Sequence, residues 1–197
     1  MAERMRRLKL SAMALGLLLV VSGSTALAQS GDSDWQELER ESKRMKISEM
    51  GDQALEDLFT KSIKAEALYE KAYGWAAFSN VKVAFFVSGG GGKGVAVNKE
   101  TGERTYMKMG TLGIGLGLGG QSYTVVFFFQ DEGSFYNFVE NGWQADAGAR
   151  AAAGTQGVNA ETTFTNGIAV YQMTDAGLMA NVDIAGTKYS KNKKLNK

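Results

Sequence analysis

The spacing of apolar residues changes at Gly74, and this change defines the fold class. Between residues 50 and 72, apolar side chains recur every three or four positions and charged side chains occupy the opposite face. That spacing predicts an amphipathic helix of about 24 residues. After Gly74, short runs of alternating or wholly apolar residues are separated by glycine-rich and polar turns, which is typical of antiparallel strands. We therefore predict an α+β fold.

The predicted architecture is a strongly twisted antiparallel β-sheet or β-barrel of about eight strands. The long N-terminal amphipathic helix covers it, and a short inserted helix starts within residues 131–134 and carries Phe135, Phe138 and Val139. The strands are expected near residues 75–78, 81–87, 95–98, 104–109, 112–118, 123–129, 143–151, 168–173 and 178–187, with turns at 89–92 and 99–102.

The first thirty residues have the form of an export signal. Four basic residues precede an apolar core at residues 10–21, and Ala26 and Ala28 stand where a signal peptidase requires small residues. The core is well short of the roughly 20 residues of a membrane-spanning helix. We expect cleavage after Ala28 and a periplasmic or secreted product. The predicted segments are a signal peptide (1–28), a charged helical arm (29–47), the sheet domain (48–190) and a basic tail (191–197).

Composition excludes several classes of function. The chain has 22 Lys and Arg against 21 Asp and Glu, so it lacks the basic excess of a nucleic-acid-binding protein. It contains no His and no Cys, which removes the usual general bases, thiol nucleophiles and zinc ligands. No paired carboxylates stand at catalytic spacing, and no pattern calls for a cofactor or metal. We predict a protein that is not an enzyme.

Residues 111–120 alternate glycine with leucine or isoleucine. In a strand, this alternation leaves one face without side chains, and a neighbouring element is expected to approach it closely. Two interpretations remain open: a packing surface for a helix or sheet, and a smooth wall for an acyl chain. The spacing of Gly115, Gly117 and Gly120 matches a dinucleotide fingerprint, but no helix follows, so a nucleotide site is rejected. The run 89–94 is interpreted as a flexible hairpin turn, because it opens no helix and lacks the Ser or Thr of a phosphate loop.

The tail contains five lysines between residues 188 and 197. A solvated, disordered tail is the simpler interpretation, and attraction to an anionic membrane is the alternative.

The strand region resembles the SYLF domain family. The segments that carry the resemblance are 71–78, the glycine-rich run ending in Gly94 and Val95, 113–121, 144–147 and 177–182 with Gly186. The resemblance covers about residues 64–191 and implies a lipid-binding module, known in eukaryotes for phosphoinositides and in yeast for actin. Ser79 replaces a usual proline, and Thr124 and Ala185 replace usually acidic residues, whereas Asp146 is retained. An exported protein does not meet actin, so that partner is not expected.

Together, the glycine pattern and the resemblance predict a non-enzymatic periplasmic lipid-binding protein. It would contact phospholipid or a membrane surface through an apolar face beside the glycine-rich strand. The residues assigned to this contact are Gly113, Gly115, Gly117, Phe127, Phe129 and Lys93. The alternative is a structural cell-envelope protein that acts through protein–protein contacts without a lipid. A membrane-spanning barrel is rejected, because residues 125–129 are apolar on both faces rather than alternating.

Overall fold

The fold is seen in a computed structural model of the chain. It describes residues 33–85, 87–113, 119–144, 163–174, 177–179 and 187–197. The chain divides into two compact units, Met1–Ser42 and Lys43–Lys197. In the first unit the described residues are helical, and the Arg40 guanidinium donates hydrogen bonds to the Glu37 carboxylate. The predicted signal peptide lies outside the described residues.

Two helices precede the sheet, and the break between them lies at Ser62. Helix α1 spans 33–61 and helix α2 spans Ile63–Glu70. Ser62 has an extended backbone, and its Oγ accepts a hydrogen bond from the Ala65 N–H at 3.2 Å, which caps the start of α2. The amphipathic helix predicted between residues 50 and 72 therefore continues the charged arm without interruption and is divided at Ser62. Ile63, whose three- and four-residue spacing predicted burial, is exposed at the first position of α2.

The described strands form one antiparallel sheet. They are β1 (Gly74–Phe85), β2 (Val87–Asn98), β3 (Arg104–Gly113), β4 (Gly119–Phe129), β5 (Trp143–Gln144), β6 (Ile168–Thr174), β7 (Gly177–Met179) and β8 (Thr187–Lys191). Their order is β5-β8-β3-β2-β1-β4-β6-β7, and every pairing is antiparallel. The predicted α+β fold with a curled antiparallel sheet is confirmed.

The expected turn at residues 89–92 is wrong, because this run lies inside β2. β1 and β2 instead pair as far as Phe85 and Val87. Gly92 and Gly94 show why glycine is used within this strand. A Cβ on Gly92 would collide with the carbonyl oxygen of Ser79, and one on Gly94 would collide with the Phe78 ring. The glycines thus permit close packing across β1 and β2. The turn at residues 99–102 is confirmed, with Gly102 at φ 72°.

Two hydrophobic cores lie on opposite faces of the sheet. On the helix-side face, α1 and α2 bury residues such as Leu58 and Ala65 against Val126 and Phe128 of β4. On the aromatic face, the other side of β4 packs against the inserted helix. That helix, α3 (Glu132–Tyr136), continues as a π-helical turn (Asn137–Asn141) and confirms the predicted insertion. The side chains gathered on this face include Phe78, Phe127, Phe129, Phe135, Phe138 and Tyr189.

The basic tail packs against the domain, so its interpretation as a solvated and disordered segment is wrong. Leu195 is buried in the helix-side core. The Asn196 side chain accepts a hydrogen bond from the Tyr106 N–H at 2.9 Å and donates one to the Tyr106 carbonyl at 2.7 Å. The Arg44 Nε of α1 donates to the Leu195 carbonyl at 2.8 Å. The tail thereby links α1 to β3.

We expect Asn196→Ala to lower the free energy of unfolding by about 1–3 kcal/mol, because it leaves the Tyr106 N–H without its partner, whereas the Tyr106 carbonyl keeps the hydrogen bond from the Asn192 N–H. Urea denaturation of this variant and of Lys193→Ala, a change at an exposed tail position, measures the difference. Equal stability of the two variants would contradict the docked tail.

A second prediction concerns the glycines of β2. Gly94→Ala should lower the free energy of unfolding by about 1–3 kcal/mol, because the methyl group must displace Phe78. Gly91→Ala is the matched control, since a Cβ at Gly91 meets nothing within 4 Å; its effect should stay within about 0.5 kcal/mol. Thermal and urea unfolding of both variants test the difference, and a similar loss in both would refute close packing as the reason for Gly94.

Candidate functional site

The segment that alternates glycine with leucine or isoleucine, residues 111–120, is only partly described. Gly113 is the last residue of β3 and pairs with Ser88 of β2. Gly115 and Gly117 lie outside the described residues, as does Asp146. Strand β4 begins at Gly119. The role assigned to Gly113, Gly115 and Gly117 therefore stays a prediction.

Glycines are nevertheless concentrated at one end of four neighbouring strands, which we call the glycine end. It comprises residues 81–85 of β1, 87–91 of β2, 110–113 of β3 and 119–122 of β4. Its glycines are Gly89, Gly90, Gly91, Gly110, Gly113, Gly119 and Gly120. It extends beyond Phe78 of β1 and Tyr123 of β4, the last core residues described on those strands in this direction. The fold thus continues a four-stranded backbone surface past its described cores.

Gly91 and Gly110 make part of this surface open. They are cross-strand partners, both are exposed, and a Cβ on either would meet nothing within 4 Å. Gly92 and Gly94, by contrast, lie against neighbouring atoms. A ligand can therefore approach the backbone closely at the Gly91–Gly110 pair.

The other predicted contact residues lie on different faces of the sheet. Phe127 and Phe129 are fully buried on the aromatic face, where their rings stack with centroids 6.4 Å apart. Lys93 is exposed on β2 and lies on the same face of the strand as Val95 and Val97, which belong to the helix-side core. The structure thus brings the two phenylalanines together but places Lys93 on the opposite face. Their assignment to a lipid contact stays a prediction.

The aromatic face contains a buried hydroxyl without a described partner. Tyr189 is fully buried, and its ring lies 4.7 Å from Phe78 and 5.0 Å from Phe127, centroid to centroid. Its hydroxyl has no hydrogen-bond partner in the described part of the structure. Burial raises the pKa of Tyr189 well above its ordinary value, because the phenolate would lose its hydration.

Tyr189→Phe keeps the ring contacts and removes this hydroxyl, so we expect the free energy of unfolding to stay constant or rise by about 1 kcal/mol at neutral pH. Above the ordinary tyrosine pKa of about 10, the wild-type protein should lose stability as pH rises, since this phenol ionises more easily in the unfolded chain. The variant should lose less.

Urea denaturation at neutral and alkaline pH measures both effects. Tyr106→Phe is the control, because it deletes a hydroxyl that lies 3.2 Å from Ser48 Oγ and should destabilise the protein. A Tyr189→Phe variant that is destabilised as much as Tyr106→Phe would show that the Tyr189 hydroxyl has a partner.

A polar pocket of about 270 Å³ opens on the helix-side face, where α1 ends. It is lined by Asp57, Lys61, Ser79, Tyr123, Thr124, Met173 and Thr174. The Asp57 carboxylate accepts a hydrogen bond from Gln53 Nε2 at 3.0 Å. Sequence reasoning noted Ser79 and Thr124 only as departures from a family pattern and did not assign Lys61. Strand register would have brought these lining residues together, because Ser79 pairs with Thr124 and Thr124 pairs with Met173.

Two features are absent from the described residues. None of their helices combines the length and apolar character needed to cross a bilayer. Within the same residues, no three acidic side chains are grouped closely enough to hold a metal ion.

Comparison with known proteins identifies relatives of the chain. A family model described as Ysc84, Las17-binding protein actin regulator, matches residues 110–197, and this model represents the SYLF domain. The chain is also similar to beta cell expansion factor A of Aeromonas veronii, with 38 % identity over 146 residues. That alignment covers 74 % of this chain and 56 % of the relative, so the chain spans about half the length of the curated relative.

Proposed function

Because the chain belongs to the SYLF family, we propose that it is a non-enzymatic lipid-binding protein that contacts phospholipid or a membrane surface. Members of this family are generally not enzymes. We further propose that the protein is exported through the signal at residues 1–28 and works in the periplasm or outside the cell. Actin, which the family description includes, is not part of this proposal.

The observation that carries the proposal is the open backbone surface at the glycine end. Gly91 and Gly110 are paired, exposed positions without side chains, and a Cβ at either would meet nothing within 4 Å. An acyl chain or bilayer surface can lie against the backbone at this pair, and the apolar contact area gives the binding free energy. Phe127 and Phe129 belong to a packed core. We therefore place the lipid contact at the glycine end rather than at these rings.

Vesicle flotation tests this function. The full-length protein, purified from the periplasm, is mixed with phosphatidylcholine vesicles, which carry no net charge, and bound lipid is analysed in parallel by native mass spectrometry. We expect the protein to float with the vesicles or to retain lipid. Absence of both would support the structural envelope protein that acts without a lipid ligand.

The double variant Gly91→Asp/Gly110→Asp locates the contact. Neither new side chain meets a described atom near its Cβ, and the two carboxylates oppose apolar contact. Because they are also directly opposed across the strands and repel each other, urea denaturation of the variant checks that the fold is retained. We expect flotation to fall about tenfold, equivalent to roughly 1.4 kcal/mol. The matched control is Thr101→Asp/Asn137→Asp, which adds the same charge at two exposed positions elsewhere. Equal flotation of both double variants would exclude the glycine end as the contact surface.

A further inference from the structure

The pocket at the end of α1 has one acidic and one basic side chain in its lining. Asp57 and Lys61 lie within the last five residues of the helix, and both are exposed. Of the described lining residues, these two carry the formal charges. The lining therefore has no net charge but contains two charges of opposite sign.

These two charges are not paired with each other. An acid four residues before a lysine is well placed to form an ion pair along a helix. Asp57 instead accepts a hydrogen bond from Gln53 Nε2 at 3.0 Å, and within the described structure no ion pair joins it to Lys61. The Asp57 carboxylate keeps a second oxygen for a ligand, and the Lys61 ammonium keeps all three of its donors. Both charges are thus available to a molecule in the pocket.

Two hydroxyls lie side by side in the same pocket. Ser79 of β1 and Thr124 of β4 are half-buried cross-strand partners, and directly opposed residues have Cβ atoms about 4.5–5.5 Å apart. Each is two residues from a member of the helix-side core, Ala77 and Val126 respectively, so both point to the helix side. Neither hydroxyl has a hydrogen-bond partner among the described residues. Met173, which pairs with Thr124, is buried and adds an apolar wall.

Two opposite charges favour a ligand that carries both. A simple anion in the pocket would be repelled by Asp57, and a simple cation would be repelled by Lys61. An α-amino acid has an ammonium group and a carboxylate on the same carbon. Its ammonium can donate to Asp57, while its carboxylate accepts from Lys61 and from the two hydroxyls.

The size of the pocket limits the side chain of such a ligand. The volume is about 270 Å³, whereas small-molecule sites usually begin at about 300 Å³. A small side chain therefore suits the space, and the buried Met173 favours an apolar one.

We propose that this pocket binds a free α-amino acid with a small apolar side chain. Asp57 binds the ammonium group, and Lys61 binds the carboxylate together with Ser79 and Thr124. Met173 contacts the side chain of the ligand. This site goes beyond the proposed lipid function and does not depend on it.

Three ligands of matched shape test the charge requirement. L-valine carries both charges, isovalerate lacks the ammonium group, and isobutylamine lacks the carboxylate. Each is titrated into the full chain at neutral pH and followed by NMR chemical shifts. We expect L-valine to give saturable shifts that include Ser79, Thr124 and Lys61, and to bind at least about tenfold more tightly than either analogue. Absence of saturable shifts with L-valine, or equal binding of an analogue, would overturn the site.

Two single substitutions assign the charges. Asp57→Asn should weaken binding of L-valine about tenfold but should not weaken isovalerate, because it removes a repulsion from that ligand. Lys61→Gln should weaken L-valine to a similar extent but should not weaken isobutylamine, for the same reason. Unchanged binding of L-valine in both variants would overturn the site, and so would an equal loss of all three ligands.

The matched controls are Glu100→Gln and Lys71→Gln, which each remove one charge at an exposed position outside the pocket lining. Both should bind L-valine like the wild type. Weakening equal to that in the pocket variants would show a general effect of charge and would contradict the proposal. Ser79→Ala should weaken L-valine and isovalerate severalfold, and it keeps the proposal testable if a charge variant does not fold. No effect of this change on L-valine would exclude the assigned role of the hydroxyl pair.

Discussion

Burial of β4 on both faces is the constraint on which the rest of the structure depends. Val126 and Phe128 point to the helix-side core, whereas Phe127 and Phe129 point to the aromatic core. Each core therefore needs β4, and neither can form with this strand displaced. A shift of β4 by one residue would exchange the two sets of side chains and misplace both. Pairing with β1 on one edge and β6 on the other transmits this register across the centre of the sheet.

The fold class follows from local patterns, but some boundaries depend on contacts between distant residues. The helical and alternating periods predicted the covering helix, the inserted helix around Phe135 and most strands. The same reasoning misread residues 89–92, because consecutive glycines usually indicate a turn. Their place within β2 depends on how closely Ser79 and Phe78 of β1 approach the backbone of β2. A local sequence pattern does not reveal the distance between two strands. The break at Ser62 was missed for a different reason, since the apolar spacing continues across Ser62 and only the capping bond from the Ala65 N–H marks the start of the second helix.

The candidate site was less predictable than the fold. Alternation shows which residues of one strand share a face, but it does not show which face of one strand matches which face of another. Lys93 and Phe127 were therefore assigned to one contact although they point to opposite sides. Likewise Lys61, Ser79 and Thr124 are far apart in sequence, and they line one pocket only because β1 pairs with β4 and α1 ends beside that pair. Register and helix placement are global properties of the folded chain.

The docked tail also has a consequence for self-association. Strand β8 pairs with β3 from Met107 to Thr111, so the backbone of Tyr106 lies just past the end of that pairing. The Asn196 amide occupies this position by bonding both the N–H and the carbonyl of Tyr106, as a neighbouring strand would. An unpaired strand edge is a template on which other chains add and aggregate. At Tyr106 the Asn196 side chain, together with the Asn192 N–H that also donates to the Tyr106 carbonyl at 2.9 Å, takes the place of a strand and closes this position to intermolecular β-pairing.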